Sequence, residues 1–172
     1  RMESGSVAVK REPVELSALI ERQLALDAPL LEQKNQRLVK DLTPGIVVIG
    51  DASLLGRVAG NLLSNASLYS PEGAEVRVWC GLLDGRPALT VENTEAHISE
   101  KALPHLFEAF YREETSRNRA TGGSGLGLYL VKMILARHGA ECTIENTEDS
   151  VLAVVLFEAG SISGLPAGDM VE

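Results

Sequence analysis

Gly122, Gly123, Gly125 and Gly127 fall within six consecutive residues, and the chain runs from them straight into Tyr129-Leu130-Val131-Lys132-Met133-Ile134-Leu135. Glycine tolerates positive φ and lets backbone approach another group closely. The first turn of a helix carries unpaired N–H groups and a partial positive charge. A glycine-rich entry into an apolar helix is therefore either an anion cradle, with phosphate the usual anion, or a flexible loop ahead of a core helix. Two common phosphate motifs are excluded. A P-loop needs Lys and Ser or Thr after its last glycine, and Leu128 and Tyr129 follow Gly127. A dinucleotide-binding turn needs a third glycine three places after the second, and that place is Leu130.

The remaining chain has to supply the rest of such a site. Its 172 residues suit one domain, and 45% apolar content is enough for a core. A net charge of −8 argues against a general nucleic-acid surface, so a bound polyphosphate would need local basic groups or a metal. No apolar run is long enough to span a bilayer, and no signal peptide is visible. Cys80 and Cys142 lack metal-ligand spacing and read as reduced strand residues of a cytosolic protein.

In chain order, Val7 to Pro13 reads as extended, and a helix follows from about Val14 through Glu32 on the helical spacing of Leu16, Leu19, Ile20, Leu24, Ala28 and Leu31. Arg37 to Leu42 alternates as a strand, Pro44-Gly45 turns, and Ile46 to Ile49 is a buried strand. Asp51 can cap a helix striped by Leu54, Leu55, Val58, Leu62 and Leu63. Strands at Glu75 to Leu82 and Pro87 to Glu92 flank an Asp84-Gly85 hairpin turn. Lys101 to Phe107 reads as a short helix, and Glu113 to Ser124 as a mobile loop. The glycine-led helix runs to about Arg137 with Gly139 as its stop, and Ala140 to Asn146 and Val151 to Phe157 form a last hairpin. The expected fold class is α/β. It is a two-layer sandwich with a mixed, mostly antiparallel sheet of about five strands covered on one face by three helices, and a mobile lid. The domain would span residues 7–158, with residues 1–6 ending an upstream helix and residues 159–172 a disordered tail.

Asn61-Leu62-Leu63-Ser64-Asn65-Ala66 is the second informative stretch. Asn61 and Asn65 lie four apart and so share a helix face. Asn is a middling-to-poor helix former, and its amide is costly to bury without partners. Two on one face suit a polar guest, such as Mg²⁺ that keeps most of its waters and its phosphates. A pair of exposed or core-bonded amides is the alternative.

Asn61 to Ala66, followed by Tyr69-Ser70-Pro71, resembles the asparagine box of sensor histidine kinases. Phe107-Glu108-Ala109-Phe110-Tyr111-Arg112 resembles their phenylalanine box, and Ser116 through Leu128 the end of their ATP lid with the second glycine box. The resemblance runs in order over nearly the whole chain. It implies the nucleotide-binding (GHKL, or Bergerat) fold shared with Hsp90-type chaperones, MutL-type repair proteins and gyrase-type topoisomerases.

The resemblance further implies ATP and Mg²⁺ as cofactors. Asn65 would hold the Mg²⁺, with Asn61 beside it. Gly123, Gly125 and Gly127, with Leu126 and Leu128, would lie along the phosphates. Arg117 and Arg119 would neutralise charge on the transferring phosphoryl group or the tail of the nucleotide, with Arg117 as the catalytic one. Tyr69 would line the pocket, and Asn93 and Ile98 its base end. Phe107 and Phe110 would anchor the lid. The acceptor histidine would sit on an upstream dimerisation hairpin, the phosphoryl group would pass to a response-regulator receiver domain, and the full-length protein would be a homodimeric, membrane-anchored sensor with this domain in the cytoplasm. The domain alone would be monomeric, with no nucleic-acid partner. None of His97, His105 and His138 resembles the acceptor. His105 and His138 read as helix-end residues.

Three places depart from the family pattern. Leu68 stands where a Lys is usual. Asn93 stands for the adenine-reading Asp of the first glycine box, and Glu95 and His97 stand for its two glycines. These changes leave a second function class open, a degenerate module of the same fold that binds partners and transfers nothing. They also lead to the expectation that Glu95 and His97 crowd the base and weaken nucleotide binding.

Overall fold

The computed structural model describes residues 8–111 and 126–159. Strand β1 (Glu12–Glu15) leads into helix α1 (Leu16–Glu32). Glu15 starts that helix because one carboxylate oxygen accepts from the Ala18 N–H at 2.6 Å. Its other oxygen accepts from the Gly45 N–H at 2.5 Å, which ties the next turn to the helix start. Strands β2 (Arg37–Leu42) and β3 (Val47–Gly50) precede helix α2 (Ala52–Tyr69), whose cap is Asp51, accepting from Leu54 N–H at 3.1 Å. The hairpin β4 (Glu75–Leu83) and β5 (Arg86–Thr94) turns through Asp84 and Gly85 at φ 52° and 77°, the two positive values a type I′ turn requires. Helix α3 (Gly127–Ala136) is followed by the hairpin β6 (Glu141–Asn146) and β7 (Ser150–Leu156). Gly139, at φ 66°, stops α3, and the Ala140 N–H reaches back to the Leu135 carbonyl at 2.9 Å.

The main sheet has five strands in the order β2-β4-β5-β7-β6. β2 runs parallel to β4, and every other neighbour is antiparallel. The period of two sends Val76, Val78, Cys80, Leu89, Val91, Ala153 and Val155 to one face, where they meet the apolar stripes of the three helices in one core. Leu55, Val58, Leu62 and Leu63 of α2 and Val131, Ile134 and Leu135 of α3 fill that layer. Arg37, Glu75, Arg77 and Glu92 form ion pairs on the opposite, open face. Burial pushes both strand thiols up, Cys142 to about 12, so both cysteines remain protonated and unpaired.

The strand expected at Ile46 to Ile49 is present as β3, and it pairs with β1 in a small sheet of its own, with Val14 opposite Val48. One expectation needed correction. The helix expected over Lys101 to Phe107 is only a 3-10 turn, Leu103–His105. The backbone bonds there close mostly three residues back, Ala102 to Ser99, His105 to Ala102 and Leu106 to Leu103, which is the 3-10 spacing of short successive turns and not that of an α-helix. The upstream helix end expected at residues 1–6, and all but residue 159 of the tail expected at residues 159–172, lie outside the described residues.

Candidate functional site

Helix α2 is the middle helix, packed between α1 and α3. The Asn61 Nδ2 donates to the Gly127 carbonyl at 3.1 Å, so the face of α2 that carries Asn61 looks toward the N-terminus of α3. Asn65 lies one turn further along that face and Tyr69 another. Asn65 is half-buried, and among the described residues its amide has no hydrogen-bond partner. Tyr69 is 36% exposed. A Cβ added to Gly127 would meet nothing among the described residues within 4 Å, so among them space opens beside the first residue of α3. Leu126 is the N-cap residue of α3, and Leu128 turns away from that space into the core. Two amides and a helix start thus border one gap, an arrangement suited to an anion with its cation. Arg117, Arg119, Gly123 and Gly125 lie outside the described residues.

Asn93 forms a second wall. It sits on the helix-facing side of β5 between Val76 and Val151, is 6% exposed, and its amide has no hydrogen-bond partner among the described residues. Solvent still reaches that amide, because Ser70 Oγ is the one fully buried side-chain polar atom without a partner among the described residues.

The loop after β5 carries the two residues that stand for the family's glycines. Glu95 and His97 both expose their side chains. Glu95 also holds φ at 58°, with its N–H bonded to the Asp149 carbonyl at 2.9 Å. The left-handed backbone that a glycine would adopt freely is retained here with a glutamate in it. That conformation costs an L-residue about 1–2 kcal/mol, partly offset by glycine's larger entropy loss on folding. Glu95→Gly is therefore expected to raise stability by about 0.5–1 kcal/mol in urea titrations. A loss of stability would show instead that the Glu95 side chain makes stabilising contacts.

Helix α2 is held at both ends by residues that local pattern does not reveal. At its C-terminus the Lys34 Nζ donates to the carbonyls of Ser67 at 2.7 Å, Leu68 at 3.3 Å and Ser70 at 2.8 Å. Gln36, 7% exposed, donates to the carbonyls of Ser67, Ser70 and Pro71 and accepts from the Ser67 hydroxyl at 2.7 Å. Burial lowers the Lys34 ammonium from its ordinary value against the opposing pull of Glu72. With its donors committed to carbonyls, Lys34 does not stand in for the charge missing at Leu68. At the N-terminus burial pushes the Asp51 carboxyl up. Backbone N–H groups of Lys10, Leu54 and Ser53 outweigh that, and the net position is below the usual carboxylate range. The Asp51 N–H in turn donates to Nε2 of His138, just beyond α3, at 3.1 Å.

Phe107 packs against the core and Phe110 is 70% exposed, while the lid they are expected to anchor lies outside the described residues. His105 and His138 do lie at helix ends. No group of three His, Cys, Asp or Glu that could hold a metal occurs among the described residues. A magnesium ion fits this donor set only as an ion that keeps its waters and phosphates and takes a single amide oxygen such as that of Asn65. A separate groove of about 570 Å³ runs between α1 and α2 and shares only Asn61 with this site.

The family model described as histidine kinase-, DNA gyrase B-, and HSP90-like ATPase matches residues 50–159. The sensor protein VanSB of Enterococcus faecalis is 34% identical over 151 residues, 88% of this chain and 34% of that protein. The signal transduction histidine-protein kinase BaeS of Escherichia coli is 35% identical over 136 residues, 79% of this chain and 29% of that protein. The chain thus spans about a third of such relatives. Among solved structures, the mycobacterial sensor histidine kinase MprB superposes with a TM-score of 0.73 at 28% identity, covering 86% of this chain and 96% of that one. The catalytic domain of histidine kinase ThkA reaches 0.76 at 21% identity, covering 87% and 96%, which speaks to the fold. With the asparagine face of α2 set against the start of α3 and the family match spanning both, the chain belongs to the histidine kinase-, DNA gyrase B- and HSP90-like ATPases, and its likeness to the catalytic domains of sensor histidine kinases runs over most of its length.

Proposed function

We propose that the gap between α2 and the start of α3 holds magnesium-ATP, and that the domain passes the γ-phosphoryl group to a histidine on an upstream helical hairpin for relay to a response regulator. The observation that carries this reading is the Asn61–Gly127 bond, which sets the α2 face shared by Asn61 and Asn65 against the helix start. Asn65 would hold the magnesium ion, which when bound would neutralise phosphate charge. Asn61 keeps the first turn of α3 in place through its carbonyl bond. The backbone N–H groups of Gly123, Gly125 and Gly127 would receive phosphate oxygens, and Arg117 and Arg119 would offset their charge. Tyr69 and Leu128 would border the phosphates, with Asn93 and Ile98 at the base end. Positioning and electrostatics would supply the catalysis, since phosphoryl transfer asks little covalent chemistry of the protein. One solved neighbour is ThkA in complex with the response regulator TrrA, which supports the regulator as partner. The full-length protein would be a homodimer anchored in a membrane through segments outside this chain. No helix among the described residues is long and apolar enough to cross one. Residues 1–6 would end the upstream helix and residues 159–172 would form a tail.

Titration with a magnesium–ATP analogue tests the reading. An Asn93 oxygen accepts the bond an Asp would, without the assistance of charge. Binding in the upper micromolar range or weaker is expected, with Asn93→Asp tightening it by somewhat under tenfold, about 1 kcal/mol. Because the Glu95 and His97 side chains are exposed, the Glu95→Gly, His97→Gly double variant should shift affinity less than Asn93→Asp does. Absence of binding in all three proteins would leave a partner-binding module as the better reading.

A further inference from the structure

Asn146 closes β6, and its side chain grips a single residue of another segment with both amide atoms. Its Oδ1 accepts from the Ile98 N–H at 2.9 Å, and its Nδ2 donates to the Ile98 carbonyl at 2.8 Å. A carboxamide bonded to the N–H and C=O of one residue does what a neighbouring strand would do. The loop needs such a substitute because β5 ends at Thr94 and leaves the next residues without a ladder. The same turn holds the start of the loop, where the Asp149 carbonyl accepts from the Glu95 N–H at 2.9 Å.

The holding turn is itself fixed. The Thr147 N–H donates to the Ser150 carbonyl at 2.8 Å, and the two hydroxyls lie 2.5 Å apart. Ser150, 1% exposed, donates through its hydroxyl to the Glu92 carboxylate at 2.6 Å. Glu92 adjoins Asn93 on β5, so the turn is locked to the strand that carries the Asn93 amide. Asn93, Val151 and Asn146 also form one row across the sheet. The structure places the grip of Asn146, the residues 95–98 loop and the Asn93 amide in one rigid frame.

We infer that Asn146 is a positioning residue for the base end of the nucleotide site: by holding the Ile98 peptide it keeps the residues 95–98 loop at a set height beside Asn93. This rests on the nucleotide-site reading above. A residue that positions the base matters more for a nucleotide whose base fits than for one whose base does not, whereas a residue that merely stabilises the fold affects both alike.

The test compares the parent chain with Asn146→Ala and Asn146→Asp, measuring magnesium-ATP and magnesium-UTP binding by calorimetry and hydrogen exchange at the Ile98 amide. Asn146→Asp keeps the size and the acceptor but loses the donor, so it remains informative if Asn146→Ala does not fold. The parent should prefer ATP over UTP. Asn146→Ala should weaken ATP binding roughly tenfold and leave UTP within about twofold, with faster exchange at Ile98 and unchanged exchange in β4. Asn146→Asp should fall between the two. Equal losses for both nucleotides, unchanged ATP affinity, or unchanged Ile98 exchange would each overturn the assignment. A parent that binds neither nucleotide refutes the site itself and this inference with it, and is recognised before any variant is examined.

Discussion

Asn65→Ala is expected to abolish phosphoryl transfer to a separately supplied acceptor hairpin while leaving the fold intact. The amide of Asn65 has no partner among the described residues, so its removal breaks no hydrogen bond among them. Alanine is the better helix former, and the site is half-buried on α2, so stability should stay within about 0.5 kcal/mol of the parent or rise slightly. Transfer should fall on the order of 100-fold or more, the scale for removing one preorganised group that places transition-state charge. The magnesium dependence of nucleotide binding should vanish with it. Asn61→Ala makes the contrast, because the Asn61 amide is engaged with the Gly127 carbonyl and its loss should lower both stability and transfer. The decisive readings are the initial rate of acid-labile labelling on the hairpin and the thermal midpoint of the variant. A parent-like rate would remove Asn65 from the metal-holding role.

Gly50→Ala and His138→Ala should each destabilise the domain substantially, yet together by less than their sum. A Cβ on Gly50 would lie 2.6 Å from His138 Cδ2 and 2.9 Å from Nε2, distances that real Cβ atoms do not show. The imidazole has no slack to give. Its Nδ1 donates to the Ile134 carbonyl at 2.9 Å, and its Nε2 accepts from the Asp51 N–H at 3.1 Å. Because the Asp51 N–H can only donate, the ring carries its hydrogen on Nδ1. Gly50→Ala should cost about 2–3 kcal/mol as an overpacked buried contact. His138→Ala should cost about the same, since it opens a void and leaves the Asp51 N–H unpaired. With the ring gone, the added methyl enters that void, so the double variant should recover about 1 kcal/mol or more of the sum. Urea unfolding of the four proteins measures this. Strict additivity would mean that the histidine is not the neighbour that makes residue 50 a glycine. The latch has a functional side, because Asp51 starts α2 and His138 ends α3, the two helices that border the nucleotide gap.

Much of this was legible in the chain itself. The spacing of Leu54, Leu55, Val58, Leu62 and Leu63 set α2, and Asp51 was readable as its cap. Asp84-Gly85 marked the hairpin, and Gly139 the end of α3. The spacing of Asn61 and Asn65 put two amides on one helix face before any coordinates. These are local statements: a period of 3.6 or 2, a capping oxygen or a positive φ is decided within a few residues. What the tertiary structure decided are the pairings between distant segments, which leave no period behind. β3 alternates like any buried strand, and only the position of β1 shows that it belongs to a separate sheet. Lys34 and Gln36 look like helix-end polar residues until the end of α2, more than thirty positions on, lays its carbonyls beside them. Glu95 reads as an eroded glycine, and only its φ shows that the loop kept the glycine's backbone and turned the new side chain to solvent. His138 and Asp51 stand 87 residues apart, and Asn146 and Ile98 stand 48 apart. Side chains so far apart meet because the sheet order and the packed helices place them there, and that order follows from the burial of the whole core rather than from any stretch of sequence.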